Sequence, residues 1–204
     1  MFFSNNCRIF APSSLIAKLR MAMKKSLIIL HLILMAITMT SCSNHTTQQT
    51  SWETTLAEKL PLLGHRNWIV ITDMAYPLQS AEGITTLFAN EPYTDVLRKV
   101  KAQIDGAPHV FAHVYHDREL DFISETDMPG VDALRSEMAQ ICGKEAQAVA
   151  HEELLERMDA ASRLYNIVII KTPLTMAYTT TFFELDCAYW NGTKQDNLVK
   201  AMGK

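Results

Sequence analysis

Glycine is scarce, with seven residues, and Gly64 and Gly83 stand isolated. No glycine-rich loop is therefore available to cradle phosphates, which leaves nucleotide binding little support. Gly-x-Ser-x-Gly is also missing, and with it the serine-hydrolase elbow. Seven prolines beside the seven glycines exclude a fibrous or linker-like chain. Excess charge of one sign is lacking too: 19 Lys and Arg face 22 Asp and Glu, a formal net charge of -3. With the basic residues scattered, a nucleic-acid partner is excluded. The longest N-terminal apolar stretch, Leu27 to Met39, falls short of the roughly 18–20 residues of a membrane-spanning helix. Only four cysteines occur, at 7, 42, 142 and 187.

What is present fits a globular protein: 204 residues, 48% hydrophobic and 20% charged. Lys24 and Lys25 precede the apolar stretch, and Met39-Thr40-Ser41-Cys42 comes after it, in the order of an export signal. The ending resembles a bacterial lipobox, in which Cys42 is lipidated and becomes the mature N-terminus. A plain secretory signal or an uncleaved anchor is the alternative. Met21 and Met23 sit at a more natural start, so residues 1–23 read as an overextended N-terminus, 24–41 as a lipoprotein signal and 42–51 as a polar tether. A domain over 52–190 and a C-terminal tail over 191–204 complete the plan, with Asn191-Gly192-Thr193 marking a turn. The residues after Cys42 are not acidic, so the expected location is the bacterial cell envelope, lipid-anchored and facing the periplasm. Export permits a disulfide between Cys142 and Cys187; two small buried thiols are the equal alternative.

Within the domain, apolar spacing predicts a helix over 52–63, a buried strand over 68–72, a helix over 94–105 stopped by Gly106 and a strand over 109–116. It then predicts a helix over 130–143, a short strand over 146–150, a charged helix over 151–164 and strands over 165–172 and 179–187. Helices alternating with strands imply a single layered α/β domain with a central, largely parallel sheet flanked by helices.

Two constellations carry candidate chemistry. His65 enters the strand at 68–72 and Asp73 leaves it. Asp73 is well placed, since α/β proteins bind ligands beyond the carboxyl ends of their strands. Five residues of strand span roughly 17 Å, so the two share a site only if the loop folds back or if two subunits each supply one end. A turn cap for Asp73 and a surface loop residue for His65 are the plainer readings. The rival is His109, His113 and His116, joined by Asp117. A helix would gather all three imidazoles for zinc, whereas the β-branched residues between them favour a strand, on which His116 faces away from the other two.

Leu63-Gly64-His65, the apolar strand, Asp73 and then Pro77 resemble the N-terminal signature of the D-ribose pyranase and L-fucose mutarotase family. "AHEELLERM" around His151 and "AYTTTFFEL" around Tyr178 resemble later segments of the same family. The resemblance covers most of 52–187. It implies that family's α/β fold, no cofactor and no metal. It also implies a monosaccharide ligand and a ring-shaped homo-oligomer, a decamer being one such size, with sites between neighbouring subunits. By the same resemblance His65 is the catalytic acid/base, and Asp73, His151 and Tyr178 bind sugar with Thr180 as a further contact. Asn67 stands where the family commonly has an acidic residue, and Thr180 where it has Asn. The expected activity is interconversion of the anomers or ring forms of a ribose- or fucose-like sugar. A non-catalytic sugar-binding lipoprotein on the same fold is the alternative that Asn67 and Thr180 motivate, with a histidine-cluster metal protein as a third.

Overall fold

Five successive apolar or β-branched residues, Trp68–Thr72, form strand β1, and every one of them is buried. Such a run has no solvent face to offer, so it belongs at the centre of a sheet covered on both sides. The computed structural model describes residues 51–203, with Met21 and Lys24. The chain divides into two units, Met1–Gln49 and Thr50–Lys204, and the second holds the α/β domain. Apart from Lys24, the signal, Cys42 and the tether up to residue 50 lie outside the described residues.

The sheet has six strands in the order β2-β5-β1-β6-β3-β4. These are β1, β2 (Ile84–Phe88), β3 (Val110–Asp117), β4 (Gln147–Val149), β5 (Ile167–Lys171) and β6 (Thr181–Cys187). β1 pairs parallel with β5 and antiparallel with β6. β2 is parallel to β5, β4 is parallel to β3, and β3 is antiparallel to β6. Five strands thus point one way and β6 alone is reversed, which makes the mixed α/β sheet largely parallel, as the alternation of elements implies.

Alternation along β1 assigns the two faces. Ile69 and Ile71 join a core built with α1 (Trp52–Lys59), α2 (Tyr93–Asp105) and α3 (Val131–Cys142). Trp68 and Val70 join a second core closed by Leu154 and Met158 of α4 (His151–Ser162). Each such buried side chain stabilises the fold by about 1.5–3 kcal/mol relative to exposure. The layers leave the carboxyl ends of β1 and β3 beside the start of α4, and the loop entering β1 beside the end of β6.

Three local details differ from the sequence reading. The first helix stops at Lys59 and continues as a 3-10 turn, Leu60–Leu62, because Pro61 has no N–H for a further α-helical bond. Ile84–Phe88 is an edge strand, partly buried up to Leu87 and exposed at Phe88, where the sequence reading places no strand. The supposed tail contains a helix, α5 (Gly192–Ala201), whose first turn is capped by Asn191 Oδ1 accepting from Lys194 N–H at 3.0 Å. Asn191-Gly192-Thr193 is therefore a helix start and not a turn. Cys142 and Cys187 are both free thiols, and burial pushes Cys142 up to about 11. Among the described residues no helix is long and apolar enough to cross a membrane.

Candidate functional site

The loop Gly64–Asn67 is a tight turn that presents an imidazole. Arg66 takes the left-handed backbone conformation (φ 72°), and its N–H donates to Leu185 O of β6 at 2.9 Å. Asn67 braces the turn: its Oδ1 accepts from Gly64 N–H at 2.7 Å and its Nδ2 donates to Asn166 O at 3.0 Å. His65 projects from this frame with 56% of its side chain exposed. Arg66 Nε donates to His65 Nε2 at 3.1 Å, which makes Nε2 an acceptor and leaves the hydrogen on Nδ1. Nδ1 faces Asp186 Oδ1 at 2.6 Å. His113 Nε2 approaches the other oxygen, Oδ2, at 3.4 Å. Burial works to raise Asp186, but hydrogen bonds from Cys187 N–H, His65 and His113 outweigh it and hold the carboxyl below the usual carboxylate range. The imidazole is therefore oriented by Asp186 on β6, while Asn67 serves the loop. His65, His113 and Asp186 line a cavity of about 810 Å³.

A second imidazole–carboxylate pair lies at the opposite end of β1. Asp73 is only 9% exposed, and its Oδ1 accepts from Ala75 N–H at 2.6 Å. His151 opens α4, where its N–H donates to the Glu119 carboxylate at 3.0 and 3.2 Å. Its Nδ1 lies 2.9 Å from Oδ1 of Asp117, a fully buried residue ending β3. Burial pushes Asp117 above the usual carboxylate range, and the bonds from His151 and from Thr180 N–H draw it back only in part. Tyr178, also left-handed (φ 56°), sets its ring edge to face against His151 at 5.5 Å. Asp73, His151, Tyr178 and Tyr76 line one cleft of about 660 Å³. Tyr76 hydroxyl is buried and finds no hydrogen-bond partner among the described residues; burial, then the charges of Asp117, Asp159 and Asp73, push it well up.

Asp73, His151 and Tyr178 are thus brought together, and His65 stands apart from them at the other end of the strand. Thr180 is buried at 1%, and its amide rather than its hydroxyl is engaged, at 3.4 Å from Asp117 Oδ2. Of the three histidines of 109–116, His109 and His113 line the His65 pocket and His116 does not. His109 Nε2 meets Leu60 O and Leu63 O, His113 meets Asp186 and His116 meets Asp121. Among the described residues no group of three potential ligands is arranged for a metal ion. Sequence reasoning missed Asp186, and it grouped Asp117 with the histidines of 109–116 rather than with His151. Asp117 had a signal, since it ends a parallel strand as Asp73 does; Asp186 had none.

No family model matches the chain and no curated protein matches it. Among solved structures it is similar to RbsD of Bacillus subtilis complexed with D-ribose, with 16% identity, a TM-score of 0.47, and 65% of this chain and 92% of that one covered. It is also similar to the fucose mutarotase of Streptococcus pneumoniae in complex with L-fucose, with 17% identity, a TM-score of 0.45, and coverages of 70% and 97%. FucU of Bifidobacterium longum is similar at 14% identity and a TM-score of 0.44, covering 65% of this chain and 92% of that one.

Proposed function

We propose that the protein is a cofactor-free monosaccharide mutarotase that interconverts sugar anomers by proton transfer through His65. The observation that carries this reading is the His65–Asp186 contact at 2.6 Å, with the imidazole half exposed on the wall of a pocket. Opening a cyclic hemiacetal moves the O1 proton to a base as the ring oxygen receives one from an acid. The C1–O5 bond breaks to an aldehyde, and rotation about C1–C2 precedes closure on either face. Nothing is oxidised or reduced, so an imidazole working near neutral pH meets the need. Hydrogen on Nδ1, held by Asp186, leaves Nε2 as the base, and a sugar hydroxyl takes the position Arg66 Nε now fills. Asp73, His151 and Tyr178 of a neighbouring copy bind the remaining hydroxyls in this reading, which requires a homo-oligomer.

Saturation-transfer NMR on L-fucose and D-ribose tests it. Wild-type protein is expected to accelerate anomer exchange and His65→Ala to return it to the uncatalysed rate. Wild-type protein that accelerates exchange of no sugar in a broad panel would sink the enzyme. A second reading draws on Arg66, which already occupies Nε2: a sugar-binding protein without turnover, which calorimetry would reveal as binding without exchange. We further propose that Cys42 carries a lipid holding the domain at the periplasmic face of the cell envelope. Labelled palmitate should enter the wild-type protein and not Cys42→Ser; equal labelling of both would exclude the anchor at that residue.

A further inference from the structure

Beyond β6 the chain continues as Tyr189 and Trp190 and then α5. No residue of α5 is buried. What this segment does touch is the His65 pocket: Tyr189, Trp190 and Gln195 line it together with Phe111, His113 and Asp186. Six aromatic side chains are exposed among the described residues, namely Phe88, Phe111, Phe122, Tyr178, Tyr189 and Trp190, and three of them line this one cavity. Clustered exposed aromatics beside a few polar groups mark a ligand surface rather than a solvated one. The Trp190 ring is also fixed, since its Nε1 donates to Gln195 Oε1 at 2.9 Å. Phe111 packs edge to face with His113 at 5.0 Å, and His113 shares Asp186 with His65.

We infer that Trp190, with Tyr189 and Phe111, forms an aromatic subsite that holds the apolar C–H face of a pyranose against the His65 end of the pocket. A pyranose with an axial 4-hydroxyl turns its C3, C4 and C5 hydrogens to one side, making an apolar patch with a polar rim. Rigid aromatic rings cover such a patch at low entropic cost. The imidazoles and Asp186 remain at the rim, where the anomeric oxygen and ring oxygen must lie for proton transfer. The implied substrate class is a galacto-configured pyranose such as L-fucose or D-galactose, with an open-chain polyol excluded for want of that face. The inference rests on the mutarotase reading for its ligand class, and its measurement is independent of turnover.

Of the three tryptophans, Trp52 and Trp68 are 7% and 2% exposed, whereas Trp190 is 43% exposed. All three emit, but only Trp190 lies in the His65 pocket, so a sugar-dependent change in intrinsic fluorescence reports on Trp190. Titration of the full chain with L-fucose and with D-galactose should shift or quench the emission, mannitol should not, and Trp190→Phe should lose the response. In exchange assays Trp190→Ala should raise KM roughly fivefold or more, with Trp190→Phe recovering most of the loss because an aromatic face remains. Exchange that proceeds in the wild type with no emission change at saturating sugar overturns the subsite and leaves the mutarotase standing. An emission change confined to the pyranoses without any exchange supports the subsite and removes the mutarotase. An equal response to mannitol, or a Trp190→Phe variant that keeps the response, overturns the subsite.

Discussion

Asp186 accepts from His65 at 2.6 Å and from its own strand neighbour, Cys187 N–H, also at 2.6 Å, so its charge is spoken for on two sides before any substrate arrives. Asp186→Asn keeps an acceptor opposite Nδ1 but removes the negative charge that would steady an imidazolium. The expected result is an exchange rate lower by about a hundredfold with sugar binding kept; an unchanged rate would show that His65 works without it. The same residue predicts a pH effect. Its folded pKa lies below the ordinary carboxylate value, so its stabilisation is present above that value and is lost as pH falls through the depressed one. Urea midpoints of wild type and Asp186→Asn should therefore differ at neutral pH and converge in acid. Asp117 has the opposite sign: its raised pKa weakens folding as pH rises towards and through it. His65 and Asp73 stood out as candidates because they flank one apolar run, and His151 and Tyr178 because of the segments they lie in. Asp186 did not, because it reaches His65 across 121 residues and only the reversed β6 brings the two together.

Strands and helices whose faces are buried announced themselves. Trp68–Thr72 is buried at every position, and α2 repeats Val96, Leu97, Val100 and Ile104 on one side. Two elements that stayed hidden, β2 and α5, contain no fully buried residue. β2 reads Ile-Thr-Thr-Leu-Phe and lies at the sheet edge with no fully buried residue, and α5 buries nothing. Neither writes a period into the sequence, because periodicity records a buried face. What pins β2 is contact at its entrance. Gly83 O accepts from Ile167 N–H at 2.8 Å, and a Cβ at Gly83 would lie 2.5 Å from Ser162 O and 2.7 Å from Tyr165 O, both main-chain atoms. Main-chain oxygens at the end of α4 cannot rotate aside as a side chain can. Gly83→Ala should therefore cost about 1–3 kcal/mol, measured as a lower urea midpoint. A midpoint equal to wild type would mean that the β2 edge is seated more loosely than these distances imply.

At the scale of the whole molecule the decisive fact is that the two half-sites occupy opposite ends of β1. His65 with Asp186 and the aromatic wall stands at one end, and Asp73 with His151 and Tyr178 at the other. A strand of five residues keeps them roughly 17 Å apart, more than one monosaccharide bridges. If the sugar is to meet both, one copy must offer the His65 end to the Asp73 end of the next, a head-to-tail contact of the kind that closes into a ring. That geometry makes a sharp prediction. His65→Ala and Asp73→Asn, each inactive when assembled alone, should regain exchange activity when co-expressed and assembled together. Random mixing places an intact His65 end against an intact Asp73 end at about a quarter of the contacts, so activity near that fraction of wild type is expected. Light scattering on the same samples should find one oligomer size throughout. Mixed assemblies of the correct size that stay as inactive as either parent would show that the two ends do not meet across a subunit boundary, and would overturn the shared site.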